Sequence, residues 1–90
     1  MNDADCFLTI AELGERYASG ADRPSSIASL HLERIARIDP VLNAMQVVDV
    51  DGALKAAQES DARWAAGRPL GPLDGVTVTI KDNVDVAGFP

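Results

Sequence analysis

The sequence predicts an α/β chain in which three amphipathic helices come first and short strands follow, most of the sheet being expected outside these 90 residues. Three stretches repeat apolar residues at spacings of three and four, each bounded by capping or breaking residues. One later stretch, Val76 to Lys81, instead alternates apolar and polar residues after a Pro/Gly-rich loop. A strand pair with two open edges is marginal in water, so these strands need partners that the chain does not obviously contain.

The first helix is placed at 10–19. Thr9-Ile10-Ala11-Glu12 matches a capping box, in which the Thr hydroxyl accepts an amide proton of the first turn and Glu reaches back to the cap. Ile10, Leu13 and Tyr17 mark its apolar face, and Gly20 is a natural stop. The second helix is placed at 26–39, with Ser25 or Ser26 as cap and Ile27, Leu30, Arg34 or Ile35, and Ile38 along its face. Pro40 is expected to end it, because a proline disfavours helical geometry at Asp39.

A short strand is placed at 44–48, after which Asp49 or Asp51 caps a third helix at 52–66. That helix is rich in alanine, the best helix former, and Ala53, Ala57, Ser60 and Trp64 make a narrow stripe that lets another element approach closely. Gly67 ends it, and Pro69, Gly71 and Pro72 stiffen the following loop. In the strand at 76–81, Val76, Val78 and Ile80 share one face, and Thr77, Thr79 and Lys81 the other. A turn at Asp82-Asn83 precedes a short strand at 84–86.

Composition narrows the function. Fourteen acidic residues against eight basic ones give a net charge of −6, which argues against nucleic acid, whose phosphates require clustered Lys and Arg. Arg34 and Arg37 lie three apart on a predicted helix and read as a solvated face near Glu33. No stretch approaches the roughly 18 apolar residues of a membrane span, and the acidic start, Met1-Asn2-Asp3-Ala4-Asp5, lacks the basic region of a secretory signal. A cytoplasmic location is expected, with no membrane partner. With a single cysteine, Cys6, no intramolecular disulfide or cysteine-based metal site is expected.

The candidate chemistry centres on Lys81. Lysine is disfavoured in strands and expensive to bury unpaired, so an amine at the end of a half-buried strand needs a reason. Asp74, Asp82, Asn83 and Asp85 surround it in sequence, either as turn formers or as groups that orient the amine. Asp49 and Asp51 fall short of a calcium loop, since its first and twelfth positions hold Val47 and Gln58, and they read as helix caps. His31 reads as a partly packed histidine without companion ligands, and Trp64 as an anchor over the core edge. No cofactor and no metal are expected.

In order along the chain, Leu8-Thr9-Ile10-Ala11-Glu12-Leu13, Leu32-Glu33-Arg34-Ile35, Asp39-Pro40-Val41-Leu42-Asn43-Ala44, Asp61-Ala62-Arg63, and the run from Gly71-Pro72-Leu73-Asp74-Gly75-Val76 through Lys81-Asp82-Asn83 resemble the amidase signature family. Each piece is a weak motif; their ordered combination ending in the lysine is specific. The resemblance implies a mixed-sheet fold of which this chain is the N-terminal portion of one domain. It also implies a Ser-cisSer-Lys triad that cleaves the C–N bond of a small-molecule carboxamide, with Lys81 as the base and a homodimer as one compatible assembly. Burial would leave such a lysine neutral part of the time, able to take a proton relayed through a bridging serine.

Neither triad serine is recognisable. Ser19, Ser25, Ser26, Ser29 and Ser60 fall where the family has helices, so the 90 residues alone are expected to be inactive. Thr77 stands where the family often has proline, which restores an amide donor to the strand. Two other readings stand beside this one: a non-catalytic helical interaction module in which Lys81 merely ends a strand, and the amidase subunit of a glutamyl-tRNA amidotransferase.

Overall fold

A computed structural model describes residues 3–43, 45 and 47–79. A 3₁₀ segment, Asp3–Phe7, leads into three helices, α1 (Ile10–Ser19), α2 (Pro24–Leu42) and α3 (Val50–Ala65). Regular secondary structure among the described residues is thus all helical, and the α/β expectation meets only its helical part there.

Helix α1 starts as its sequence requires. The Thr9 side chain accepts from the Glu12 amide at 3.1 Å, and the Glu12 carboxylate accepts from the Thr9 amide at 2.9 Å. Those bonds hold the Glu12 carboxyl below its ordinary pKa. Gly20 closes the helix in the left-handed region at φ 80°, where glycine meets no Cβ penalty.

Helix α2 differs from expectation at both ends. It begins at Pro24, whose fixed φ suits the first helical position and whose missing N–H would be unpaired there anyway. The cap position is Arg23, which makes no side-chain cap bond; the Ser25 amide instead donates to Asp61 of α3 at 2.8 Å. At the far end the helix runs through Pro40 to Leu42. Proline has no amide to donate to the Ala36 carbonyl, but both residues are exposed, so water can take the freed carbonyl. Asn43 then stops the helix at φ 53° with its amide bonded to the Asp39 carbonyl.

Helix α3 begins at Val50, two residues earlier than expected, because Asp49 and not Asp51 is the cap: its carboxylate accepts from the Gly52 amide at 3.1 Å. The small-residue stripe behaves as read, with Ala57 and Ser60 buried and α2 lying against α3. Leu13, Tyr17 and Ile27 form the core, covered by Leu8, Trp64 and Val76. Trp64 meets Tyr17 with ring centroids 5.6 Å apart, so it anchors the core edge as expected.

The strand expectations do not hold among the described residues. Residues 45, 47 and 48 of the stretch placed at 44–48 carry no strand, nor do 76–79 of the stretch placed at 76–81. A strand exists only through a ladder to a neighbour, and no partner strand is present among the described residues. Val78 is 77% exposed, as an alternating apolar residue is when nothing covers it. Residues 80–81 and the strand placed at 84–86 lie outside the described residues.

Candidate functional site

Outside the helices, the turn from Gly71 to Val76 is tied to α1 and α3 by several side chains, and the segment after it lies beside α2. The Asp74 amide donates to the Gly71 carbonyl at 3.1 Å and the Val76 amide to the Leu73 carbonyl at 3.0 Å. Gly75 sits at φ +89°, a region that L-residues rarely adopt. It also lies hard against helices α1 and α2: a Cβ there would come within 2.8 Å of Pro24 Cγ and 2.9 Å of Tyr17 Cε2.

The centre of the turn is the Asp74 carboxylate, whose side chain is 2% exposed. Arg63 donates from Nε to Oδ2 at 2.8 Å and from Nη2 to Oδ1 at 2.7 Å, the two-pronged arrangement that a planar guanidinium makes with a carboxylate. The Ser60 hydroxyl donates to Oδ1 at 2.6 Å, and the Leu70 amide to Oδ2 at 2.9 Å. The Arg63 guanidinium, with help from Ser60 and the Leu70 amide, outweighs burial and holds the Asp74 carboxyl well below the usual carboxylate range. An ionised carboxylate this fully bonded is a fastening, not a base.

Two aromatic side chains grip the backbone of the same turn. Trp64 Nε1 donates to the Asp74 carbonyl at 3.0 Å, and the Tyr17 hydroxyl donates to the Gly75 carbonyl at 3.0 Å. Burial, with Asp22 and Asp61 adding negative charge nearby, pushes the Tyr17 phenol up to about 12, so it stays a donor at neutral pH. Beyond the turn, His31 Nδ1 lies 2.7 Å from Thr77 Oγ1. Burial lowers the His31 pKa, favouring the neutral ring.

An open groove of about 350 Å³ runs along α2 beside this segment, walled by Phe7, Ile35, Ile38 and Leu42 with His31 and Thr77 at its side. Arg34 lies over the Phe7 ring at 5.1 Å, and Cys6 lines the same groove. Asp49 and Asp51 occupy the start of α3. Among the described residues no three His, Cys, Asp or Glu side chains gather as a metal site, and no helix is long and apolar enough to cross a membrane.

Lys81, with Asp82, Asn83 and Asp85, lies outside the described residues. Of the acidic residues expected around the amine, Asp74 is thus committed to Arg63 and Ser60. This fastening was not foreseen from the sequence, although a signal existed: Ser60 and Arg63 are three apart and so share a helix face, directly ahead of a short loop carrying one aspartate.

Comparison with known proteins then decides the family, because the profile of the Amidase family matches residues 26–90. The chain belongs to the Amidase family. Among curated relatives, the A subunit of the glutamyl-tRNA(Gln) amidotransferase of Salinispora arenicola is 45% identical over 83 residues, covering 92% of this chain and 17% of that protein. The Salinispora tropica protein of the same name is 42% identical over 90 residues, 100% of this chain and 18% of the relative. That of Cutibacterium acnes is 47% identical over 75 residues, 83% of this chain and 15% of the relative. This amidase-family chain therefore spans about a sixth of the length of these relatives. No solved structure matches it significantly.

Proposed function

We propose that this chain is the lysine-bearing, N-terminal portion of an amidase that hydrolyses carboxamide C–N bonds, with Lys81 as its base. The observation that carries the reading, within a family-matched stretch, is the fastened turn. Asp74 and Gly75 are held by helices α1 and α3 at the point where the chain sets out for Lys81, six residues beyond Gly75. A base must be delivered within hydrogen-bond reach of its proton, and catalysis is steeply sensitive to misplacement.

In this reading the neutral Lys81 amine accepts a proton through a bridging serine supplied by the rest of the protein. A second serine attacks the amide carbon, the C–N bond breaks with a proton going to the departing nitrogen, and water then releases the carboxylate. In the complete protein the segment after Gly75, which carries no strand here, becomes the opening strand of a mixed sheet once later residues supply its partner. The support is the alternation of Val76 and Val78 with Thr77 and Thr79, which leaves Val78, 77% exposed, on the face that such a sheet would cover.

The test is Lys81→Ala in the complete protein. Amide hydrolysis, measured as ammonia or amine release, is expected to fall to the uncatalysed rate with the fold retained by circular dichroism. Near-normal turnover in a folded Lys81→Ala protein would return Lys81 to a structural role, whereas no amide hydrolysis by the folded wild-type complete protein would favour the interaction module.

The names of the relatives favour a more particular form of the same activity, in which the amidase is one subunit of a glutamyl-tRNA(Gln) amidotransferase. It requires partner subunits as well as a small-molecule amide. Purification with other subunits, and amide nitrogen transfer to glutamyl-tRNA only in their presence, distinguishes it from a free-standing amidase.

A further inference from the structure

His31 is a titratable side chain that faces the segment between the fastened turn and Lys81, and the proposed chemistry gives it no role. It projects from α2 to within 2.7 Å of Thr77 Oγ1, a contact between residues 46 apart in sequence. Two residues earlier, the Tyr17 hydroxyl of α1 holds the Gly75 carbonyl, across 58 residues. The geometry of these contacts matters more than their number. One fixed point on a chain is a pivot, whereas two fixed points define a direction.

We propose that His31, through Thr77, is a positioning residue that sets the direction in which the chain runs to Lys81. The inference rests on the reading of Lys81 as the base. Tyr17 and His31 belong to different helices, so together they orient the segment against the helical layer. The chemistry of the contact suits a permanent tie. Neutral imidazole can either donate from Nδ1 to the Thr hydroxyl or accept the hydroxyl proton, so both tautomers preserve the bond. Burial favours that neutral form. Thr77 is itself exposed, so its hydroxyl is not needed to satisfy a buried core. The bond therefore contributes orientation more than it contributes stability.

The test uses four single variants of the complete protein and one double, with Lys81→Ala alongside. Thr77→Val and His31→Leu break the tie from opposite sides; Thr77→Ser retains the hydroxyl, and His31→Asn retains a polar atom near the place of Nδ1. The breaking variants are expected to lower kcat about tenfold with KM changed less than about twofold, while the retaining variants stay within about threefold of wild type. The double variant Thr77→Val/His31→Leu should be no worse than either single one, as for two residues acting through one contact.

If kcat stays within about twofold in both breaking variants while Lys81→Ala is inactive, positioning by His31 is wrong and the base reading stands. Equal losses in all four variants would also overturn it, since the effect would then be packing and not the bond. Normal turnover by Lys81→Ala would overturn the base reading, and the positioning role with it. Should one breaking variant fail to fold, the other breaks the same bond from the partner residue.

Discussion

Arg63 holds Asp74 by two hydrogen bonds at once, from Nε to Oδ2 at 2.8 Å and from Nη2 to Oδ1 at 2.7 Å. The arginine lies in the last turn of α3 and the aspartate in the turn that follows the Pro/Gly-rich loop, so the bond ties a helix to the exit of the chain. A guanidinium fork fixes the orientation of the carboxylate as well as its position. Ser60 and the Leu70 amide then occupy what remains of its acceptor capacity.

The fastening predicts an acid sensitivity. Because the folded Asp74 pKa is depressed below the unfolded value, its contribution is fully present above the ordinary carboxylate range and is lost as pH falls through that range toward the depressed value. Asp74→Asn keeps the shape but not the charge and is expected to destabilise the turn by about 2 kcal/mol. The protection factor of the Leu70 amide, taken relative to the intrinsic exchange rate at each pH, should fall on acidification in the wild type and already be low in Asp74→Asn at neutral pH. Equal Leu70 protection in the two proteins at pH 7 would remove Asp74 from the fastening.

At the alkaline end Tyr17 sets the limit. Its phenol rises from 10.0 to about 12 in the folded state, so the associated stability is present below pH 10 and is lost as pH climbs toward 12. At roughly 1.4 kcal/mol for each pH unit of that rise, discounted for solvent screening of a hydroxyl that is only part-buried, the contribution is about 1–2 kcal/mol. Tyr17→Phe should cost about 1 kcal/mol at neutral pH through the lost bond to the Gly75 carbonyl, and should flatten the unfolding midpoint between pH 10 and 12. An undiminished alkaline slope in Tyr17→Phe would assign the effect to another group.

Gly75→Ala tests the turn by sterics. The new methyl group would meet Pro24 at 2.8 Å and Tyr17 at 2.9 Å, on a backbone already at φ +89°. Left-handed strain and overpacking together are expected to cost about 3 kcal/mol. Gly67→Ala is the control, for it shares a positive φ of 70° but has nothing within 4 Å, so only the backbone part, about 1 kcal/mol, should appear. Equal losses at both positions in denaturant titrations would mean that the close approach of Pro24 and Tyr17 contributes nothing.

How much of this is legible in the sequence depends on how local the cause is. The Thr9–Glu12 capping box, the Gly20 stop and the buried Ala57–Ser60 stripe follow from residues within a turn or two of one another, and they appear as expected. The start at Pro24 and the passage through Pro40 depart from expectation because a proline costs little where its missing amide would be unpaired anyway or where the freed carbonyl reaches water. The tie of Tyr17 to Gly75 joins residues whose proximity exists only once the helices have packed, whereas that of Arg63 to Asp74 spans one loop but depends on how that loop folds back. The strand expected at 76–81 rests on alternation, and alternation records which face is to be covered without supplying the cover.

The contact between Tyr17 and Gly75 has one more consequence, in the timing of synthesis. Tyr17, Pro24, Ser60, Arg63 and Trp64, side chains that touch the turn, all precede it in the chain. A ribosome adding roughly 5–20 residues per second completes each of these components before the segment beyond Gly75 emerges. An unpaired strand is a template for misassociation while it waits for neighbours. Here the nascent segment enters a receiver whose parts are already made, so its root at Gly75 can be held before later residues arrive to pair with it.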